Sequence, residues 1–446
     1  MAWRSAPLDT ARMPPGIPYI VGNEAAERFS FYGMKAILVV FMTKYLLDRA
    51  GGPAPMSDPA ATEYNHLFNS ATYFFPLLGS IISDRFWGKY PTIMRISLLY
   101  CLGHAALAID HSRLGLLVGL SLIAMGAGGI KPCVSAHVGD QFSHRNQHLL
   151  EKVFGWFYAA INVGAAISYI VTPLLLDRYG PALAFGVPGV LMGLATLVFW
   201  LGRNQYAHIP PAGPAFTAAL RDREGWQAVL RLLPLYGFVA VFWSLYDQTG
   251  STWVLQAEKM NRHFAGIEWL SSQVGAVNPI LILVFIPLST TLVYPLLGRV
   301  LTLTPLRKIG AGLFLTVPSF LLTMWVETRI QAGEHPTIAW QLLAYVIITA
   351  AEILVSVTCL EFAYTHAPNS MKSLVMGLYW CSVAAGNLFT ALVNAFIQNP
   401  DGSSQLSGPD YYLFFSAIMV VASILFVPMA MAFKERTYVH AAQAGP

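Results

Sequence analysis

The residues best placed to do chemistry are Glu24, Glu27, Arg28, Tyr32 and Lys35, within Glu24-Ala-Ala-Glu27-Arg28-Phe29-Ser30-Phe31-Tyr32-Gly33-Met34-Lys35. On a helix these spacings line two carboxylates, two cations and a phenol along one stripe. The stripe runs directly into the apolar Ala36–Met42. Each charge at the middle of a membrane costs roughly 2.5–3.5 kcal/mol on insertion scales. A span that carries four is expected to use them, either to hold a charged ligand or to gain and lose protons.

The elements that must position this stripe are membrane helices. Of 446 residues, 55% are hydrophobic and only 11% charged, and mean hydropathy is +0.53. Soluble domains carry about 25% charged residues, so the composition describes a polytopic membrane protein embedded in a lipid bilayer. Apolar runs of spanning length fall near 18–47, 63–82, 92–110, 114–138, 153–176 and 182–202, then near 229–257, 271–297, 306–326, 337–365, 373–397 and 410–433. The predicted fold is all-α with twelve transmembrane helices in two six-helix halves, 1–202 and 226–446, joined by the polar, Pro-rich linker 203–225. No inserted helices are expected.

Basic residues are unevenly shared between the loops. Arg4, Arg12, Arg85, Lys89, Arg145, Lys152, Arg203, Arg221, Arg223, Arg231, Arg299, Arg307, Lys308, Lys372, Lys434 and Arg436 fall on one side, against Arg49, Arg113, Arg178, Lys259, Arg262 and Arg329 on the other. The positive-inside rule then places both termini and the linker in the cytoplasm. The N-terminus lacks the segments of a signal peptide, so the first apolar run is expected to be a true span. The net charge of +4 is small and dispersed, which gives no reason to expect nucleic acid as a partner.

Several chemistries have no support. Cys101, Cys133, Cys359 and Cys381 form no CxxC pair and read as small buried hydrophobes. There is no HExxH ligand spacing, no GxSxG elbow and no Walker-type phosphate loop, and His144 and His148 read as ordinary loop residues. An enzyme, a metal centre and an ATP-driven pump are therefore not expected, and no cofactor is assigned beyond protons as coupling ion.

Between the second and third spans lies Gly79-Ser-Ile-Ile-Ser-Asp84-Arg85-Phe-Trp-Gly88-Lys89. Its small residues allow helices to approach, and its charges can latch helix ends. It resembles the loop motif of the major facilitator superfamily. The opening stripe resembles the ExxERFxYYG signature of the proton-dependent oligopeptide transporters within that superfamily, with Phe31 replacing one Tyr and Lys35 standing where Arg is usual. Gly128-Gly-Ile-Lys131-Pro, Trp156-Phe-Tyr158-Ala-Ala-Ile-Asn162, Phe242-Trp243-Ser-Leu-Tyr-Asp247-Gln248, Val277-Asn278-Pro279, Ala351-Glu352 and Ala367-Pro368 resemble further family segments.

The resemblance implies proton-coupled import of di- and tripeptides across the cytoplasmic (inner) membrane by alternating access, by a protein that functions as a monomer. A peptide offers a carboxylate and an ammonium a few ångströms apart. Arg28 and Lys131 suit the first, and Glu352, alone in an apolar span of the other half, suits the second. Tyr32, Asn162, Gln248 and Asn278 can hydrogen-bond the peptide backbone, and Tyr73, Trp243, Tyr379 and Trp380 can wall its side chains. Lys35 belongs to the same set. Each also has a plainer reading as a packing or helix–helix residue.

Proton coupling is implied for Glu24 and Glu27, because protonating either weakens its attraction to Arg28. His66 matches a second-helix His of animal-type relatives, and imidazole titrates near physiological pH; a satisfied helix-end His is the plain alternative. Asp247 is expected to exchange partners among His66, Lys35 and Arg28. Competing readings are a same-fold relative that moves another solute such as nitrate, or a peptide sensor that does not transport.

Overall fold

The computed structural model describes residues 3–214, 216, 223–366, 372–406 and 408–433. Arg221, Lys434, Arg436 and the Ala367-Pro368 motif lie outside them, as does the side chain of Lys372.

The first six spans are Ile17–Lys44, Asp58–Ile82, Lys89–Ile109, Arg113–Gly139, Leu150–Tyr179 and Pro181–Leu201. The seventh combines Arg223–Tyr246, a tight turn Asp247–Gly250 and Thr252–Glu258. The eighth covers Ser271–Leu297, the ninth Pro305–Gln331, the tenth Ala339–Thr365, the eleventh Lys372–Ile397 and the twelfth Pro409–Ala432. Ten of these pass as membrane spans on length and hydropathy alone. The other two are the first, which holds Glu24, Glu27, Arg28 and Lys35, and the second, which holds Asp58 and Glu63 together with Asn65, His66 and Asn69. The least lipid-like helices are thus the ones that carry the polar residues of interest.

Helix ends follow local chemistry. Ser112 caps the fourth span, its Oγ accepting from the backbone N–H of Leu114 at 3.2 Å. Gly88 and Gly180, at φ +79° and +81°, end one helix and start the next. Close approach is bought by small residues: a Cβ on Gly79 would lie 2.2 Å from the carbonyl oxygen of Gly129, which fixes the contact of second and fourth spans.

Two hydrophobic cores result. One is built from the first six spans and extended by Val254 and Leu255. The other is built from the last six and extended by Tyr73. The halves meet along two seams, the second span against the eleventh and the fifth against the eighth. The linker and the N-terminal segment share one face, where Arg4 bridges to Ala207 and the Trp3 ring packs at a tilt on His208, 4.3 Å between centres. The opposite face carries a small β-hairpin, His263–Phe264 with Ile267–Glu268. These are called the linker face and the hairpin face below.

The loop after the second span becomes a π-turn, Ser83–Trp87. The ion pair that latches these helix ends is Lys89 Nζ to Asp140 Oδ2 at 2.7 Å. Arg85 lies over the Phe86 ring at 5.2 Å. The four cysteines are free, and Cys133 and Cys359 are fully buried.

Candidate functional site

The first span delivers the stripe as its spacing requires. Arg28 Nε lies 2.8 Å from Glu24 Oε1 and 2.6 Å from Glu27 Oε2, with all three side chains buried. Both contacts run through Nε, and among the described residues no hydrogen bond engages the terminal nitrogens of the guanidinium. The planar fork is thereby fixed in place at its stem, which is the pre-organisation that bidentate carboxylate binding needs.

One turn and then another further along, Tyr32 and Lys35 follow. Glu24, Arg28, Tyr32 and Lys35 all line a cavity of about 540 Å³ between the halves. Tyr73, Lys131, Asn162, Trp243, Asp247, Asn278, Glu352 and Trp380 line it as well. Glu27 does not: it is 1% exposed and paired to Arg28 from outside the cavity wall.

Lys131 and Glu352 are held by opposite means. The Lys131 ammonium lies 4.5 Å from the Tyr73 ring centre and 4.4 Å from that of Trp380. Those rings, one from each half, stack 5.7 Å apart at an interplanar angle of 9°. Cation–π attraction holds the side chain in place without a carboxylate that would compete with a ligand. Glu352 Oε2 accepts from Asn278 Nδ2 at 2.7 Å and from Tyr246 OH at 2.9 Å, both neutral donors. The helix widens into a π-turn, Ile353–Val357, immediately after Glu352. Such turns mark functional positions because they re-aim side chains. Asn162 donates to the Tyr158 carbonyl at 2.9 Å, and Tyr158 also lines the cavity.

Two expected site residues are not in the cavity wall. Gln248 falls in the tight turn Asp247–Gly250, is fully buried, and donates to the Ser244 carbonyl at 2.8 Å. The turn frees that carbonyl, and the amide satisfies it. Tyr379 is 1% exposed, one layer behind Trp380, with its hydroxyl 3.2 Å from Ser356 Oγ. Adjacent positions on a helix point about 100° apart, so only one of the pair can face the cavity.

Toward the hairpin face the cavity is sealed by a polar network. Lys35 Nζ meets Asp247 Oδ1 at 3.0 Å. Asp247 Oδ2 accepts from Asn387 Nδ2 at 2.7 Å, and Asn387 Oδ1 lies 2.8 Å from His66 Nδ1. The other ring nitrogen of His66 lies 3.0 Å from Ser251 Oγ. His66 is therefore neither at a helix end nor in contact with Asp247; it reaches the carboxylate through Asn387. Arg28 is not a partner of Asp247. Asn387 and Ser251 are the residues that sequence reasoning missed, although an Asn inside the apolar eleventh span was a visible signal.

Further cross-half contacts reinforce this seal. Gln273 donates to the Ile170 carbonyl at 3.0 Å, Gln398 to Ser57 Oγ at 3.0 Å, and Lys259 pairs with Asp58 at 3.6 Å. Lys44 pairs with Glu258. Among the described residues, the hydrogen bonds and ion pairs joining the halves all lie at this end.

This architecture has known counterparts. The family model described as PTR2, POT family, matches residues 90–222 and 215–411. Solute carrier family 15 member 2 of Rattus norvegicus is 37% identical over 398 residues, covering 78% of this chain and 53% of its own. Peptide transporter family 1 of Drosophila melanogaster is 36% identical over 371 residues, 72% of this chain and 49% of its own. The chain thus spans about half the length of these curated relatives. The crystal structure of the POT family transporter PepTSo superimposes with a TM-score of 0.86 at 36% identity, covering 95% of this chain and 99% of that one. By the extent of the family match, the identity to these relatives and the shared architecture, the chain belongs to the POT family of membrane transporters.

Proposed function

We propose that the protein is a proton-coupled symporter that imports di- and tripeptides across the cytoplasmic (inner) membrane, acting as a monomer with both termini in the cytoplasm. The observation that carries this reading is the pairing of opposite charges across one cavity: Arg28 and Lys131 from one half, Glu352 from the other. A zwitterion that spans the two halves needs that arrangement, with the carboxylate on the cations and the ammonium on Glu352. A small anion such as nitrate has nothing to give Glu352. The name borne by the relative in fruit fly, peptide transporter family 1, supports the same substrate class.

The two bodies that move are taken as 1–202 and 226–446, with 203–225 as the link. The sealed hairpin face corresponds to a carrier that releases toward the linker face. Reopening requires Lys35 and Asp247 to separate and the His66–Asn387–Asp247 chain to break, which is where a proton on His66 or Asp247 acts. Protonation of Glu24 or Glu27 loosens Arg28 and lets the peptide carboxylate take its place. No cofactor enters; the proton is the coupling ion.

Reconstitution in liposomes tests the proposal. Labelled dialanine should accumulate only under an inward proton gradient. Binding without accumulation would make the protein a sensor, and nitrate flux without peptide flux would make it a carrier of another solute.

A further inference from the structure

A second cavity, of about 310 Å³, opens beside the hairpin face. Its walls come from the start of the second span (Asp58, Thr62), the end of the seventh (Gln256), the ninth (Glu327), the eleventh and twelfth (Asn394, Tyr411), and the connection between the last two. The peptide cavity uses none of these residues. Glu327 is 7% exposed, and its only partner among the described residues is the neutral amide of Gln256, whose Nε2 lies 2.8 Å from Oε2. Gln256 itself is 2% exposed, and its Oε1 is buried with no partner.

A carboxylate this deep normally has a cation beside it, since an unpaired buried charge is strongly unfavourable. The one cation lining the cavity, Lys259, is half exposed and turned to Asp58 at 3.6 Å. Among the described residues no three His, Cys, Asp or Glu side chains converge as a metal would require. What the cavity offers is one deep carboxylate, a neutral carbonyl acceptor, and the aromatic side chains of Tyr411 and Tyr412. Those suit an ammonium with N–H donors and a short apolar body, and aromatic faces add cation–π attraction. We propose that this cavity is a binding site for a small organic ammonium, held by Glu327. Because Asp58, Pro59 and Thr62 belong to one half and the remaining wall to the other, the site is whole only while the hairpin face is closed, and its occupant stabilises that state.

The inference does not depend on what the central cavity carries, and binding can be measured without transport. The probe is butylammonium, titrated calorimetrically into the purified full chain. Glu327→Gln should weaken binding about tenfold or more, as expected on losing a charged hydrogen-bond acceptor, whereas Glu352→Gln should leave it unchanged. Leu406→Trp, which fills the cavity without touching the charge, should abolish binding and guards against misfolding of the first variant. Tetramethylammonium, which lacks N–H donors, should bind far more weakly. Loss of binding in Glu352→Gln with retention in Glu327→Gln would place the ammonium in the central cavity and overturn the proposal. So would equal binding by both variants, or binding of sodium or calcium in place of butylammonium.

Discussion

On the function proposed above, one residue, Arg28, serves two tasks. Its stem is gripped by Glu24 and Glu27 while its fork stays available, so coupling and binding are separable by mutation. Glu24→Gln and Glu27→Gln should abolish proton-driven accumulation of dialanine yet retain counterflow exchange. Glu352→Gln should impair both, because it removes a charged partner of the peptide ammonium; a loss of about 1.5–3 kcal/mol is about 10- to 100-fold in peptide affinity. Uptake and exchange measured side by side in liposomes check this, and a Glu352→Gln protein that exchanges normally would remove Glu352 from the site. At this scale the sequence was highly legible where charge stood alone in apolar surroundings: Arg28, Lys131 and Glu352 all face the cavity. Gln248 and Tyr379 lie outside the cavity wall, where a neighbouring residue of the same span takes the inward position, and local sequence gives no sign of which of two adjacent residues turns inward.

Among the elements, the second span bears the most responsibility. It packs on the fourth within its own half and on the eleventh across the seam, and it carries both His66 and Tyr73. Its grip on the fourth depends on glycines. Gly79→Leu would drive a side chain into the Gly129 carbonyl, and overpacking of this kind costs about 1–3 kcal/mol. The variant should show a lowered Tm in detergent and reduced transport, while the same change at Gly193, which has open space around its Cβ, should be tolerated. The helices themselves were legible from apolar run length, and all twelve fall close to the expected stretches. Their irregularities were not. The π-turns at Ser83–Trp87, Ser289–Val293 and Ile353–Val357 arise from tertiary packing that no local pattern announces.

At the scale of the whole molecule, closure is concentrated at one end. Ser57 and Gln398 sit on opposite halves, joined by a 3.0 Å hydrogen bond. In a background with the four native cysteines replaced by Ser, Ser57→Cys with Gln398→Cys should cross-link under mild oxidant and stop transport, and reduction should restore it. A cross-linked protein that still accumulates peptide would show that this face need not open. The six-plus-six plan was readable from the spacing of the spans and the linker composition. The way the halves lean was not, because the sequence encodes every state of the cycle at once and a single structure displays one. The Tyr73–Trp380 stack belongs to that state, since each half supplies one ring. A movement of one half against the other should change that stack, and with it the light emission of the indole. The clamp around Lys131 is thus also a built-in optical gauge, and the protein carries its own reporter of which way it faces.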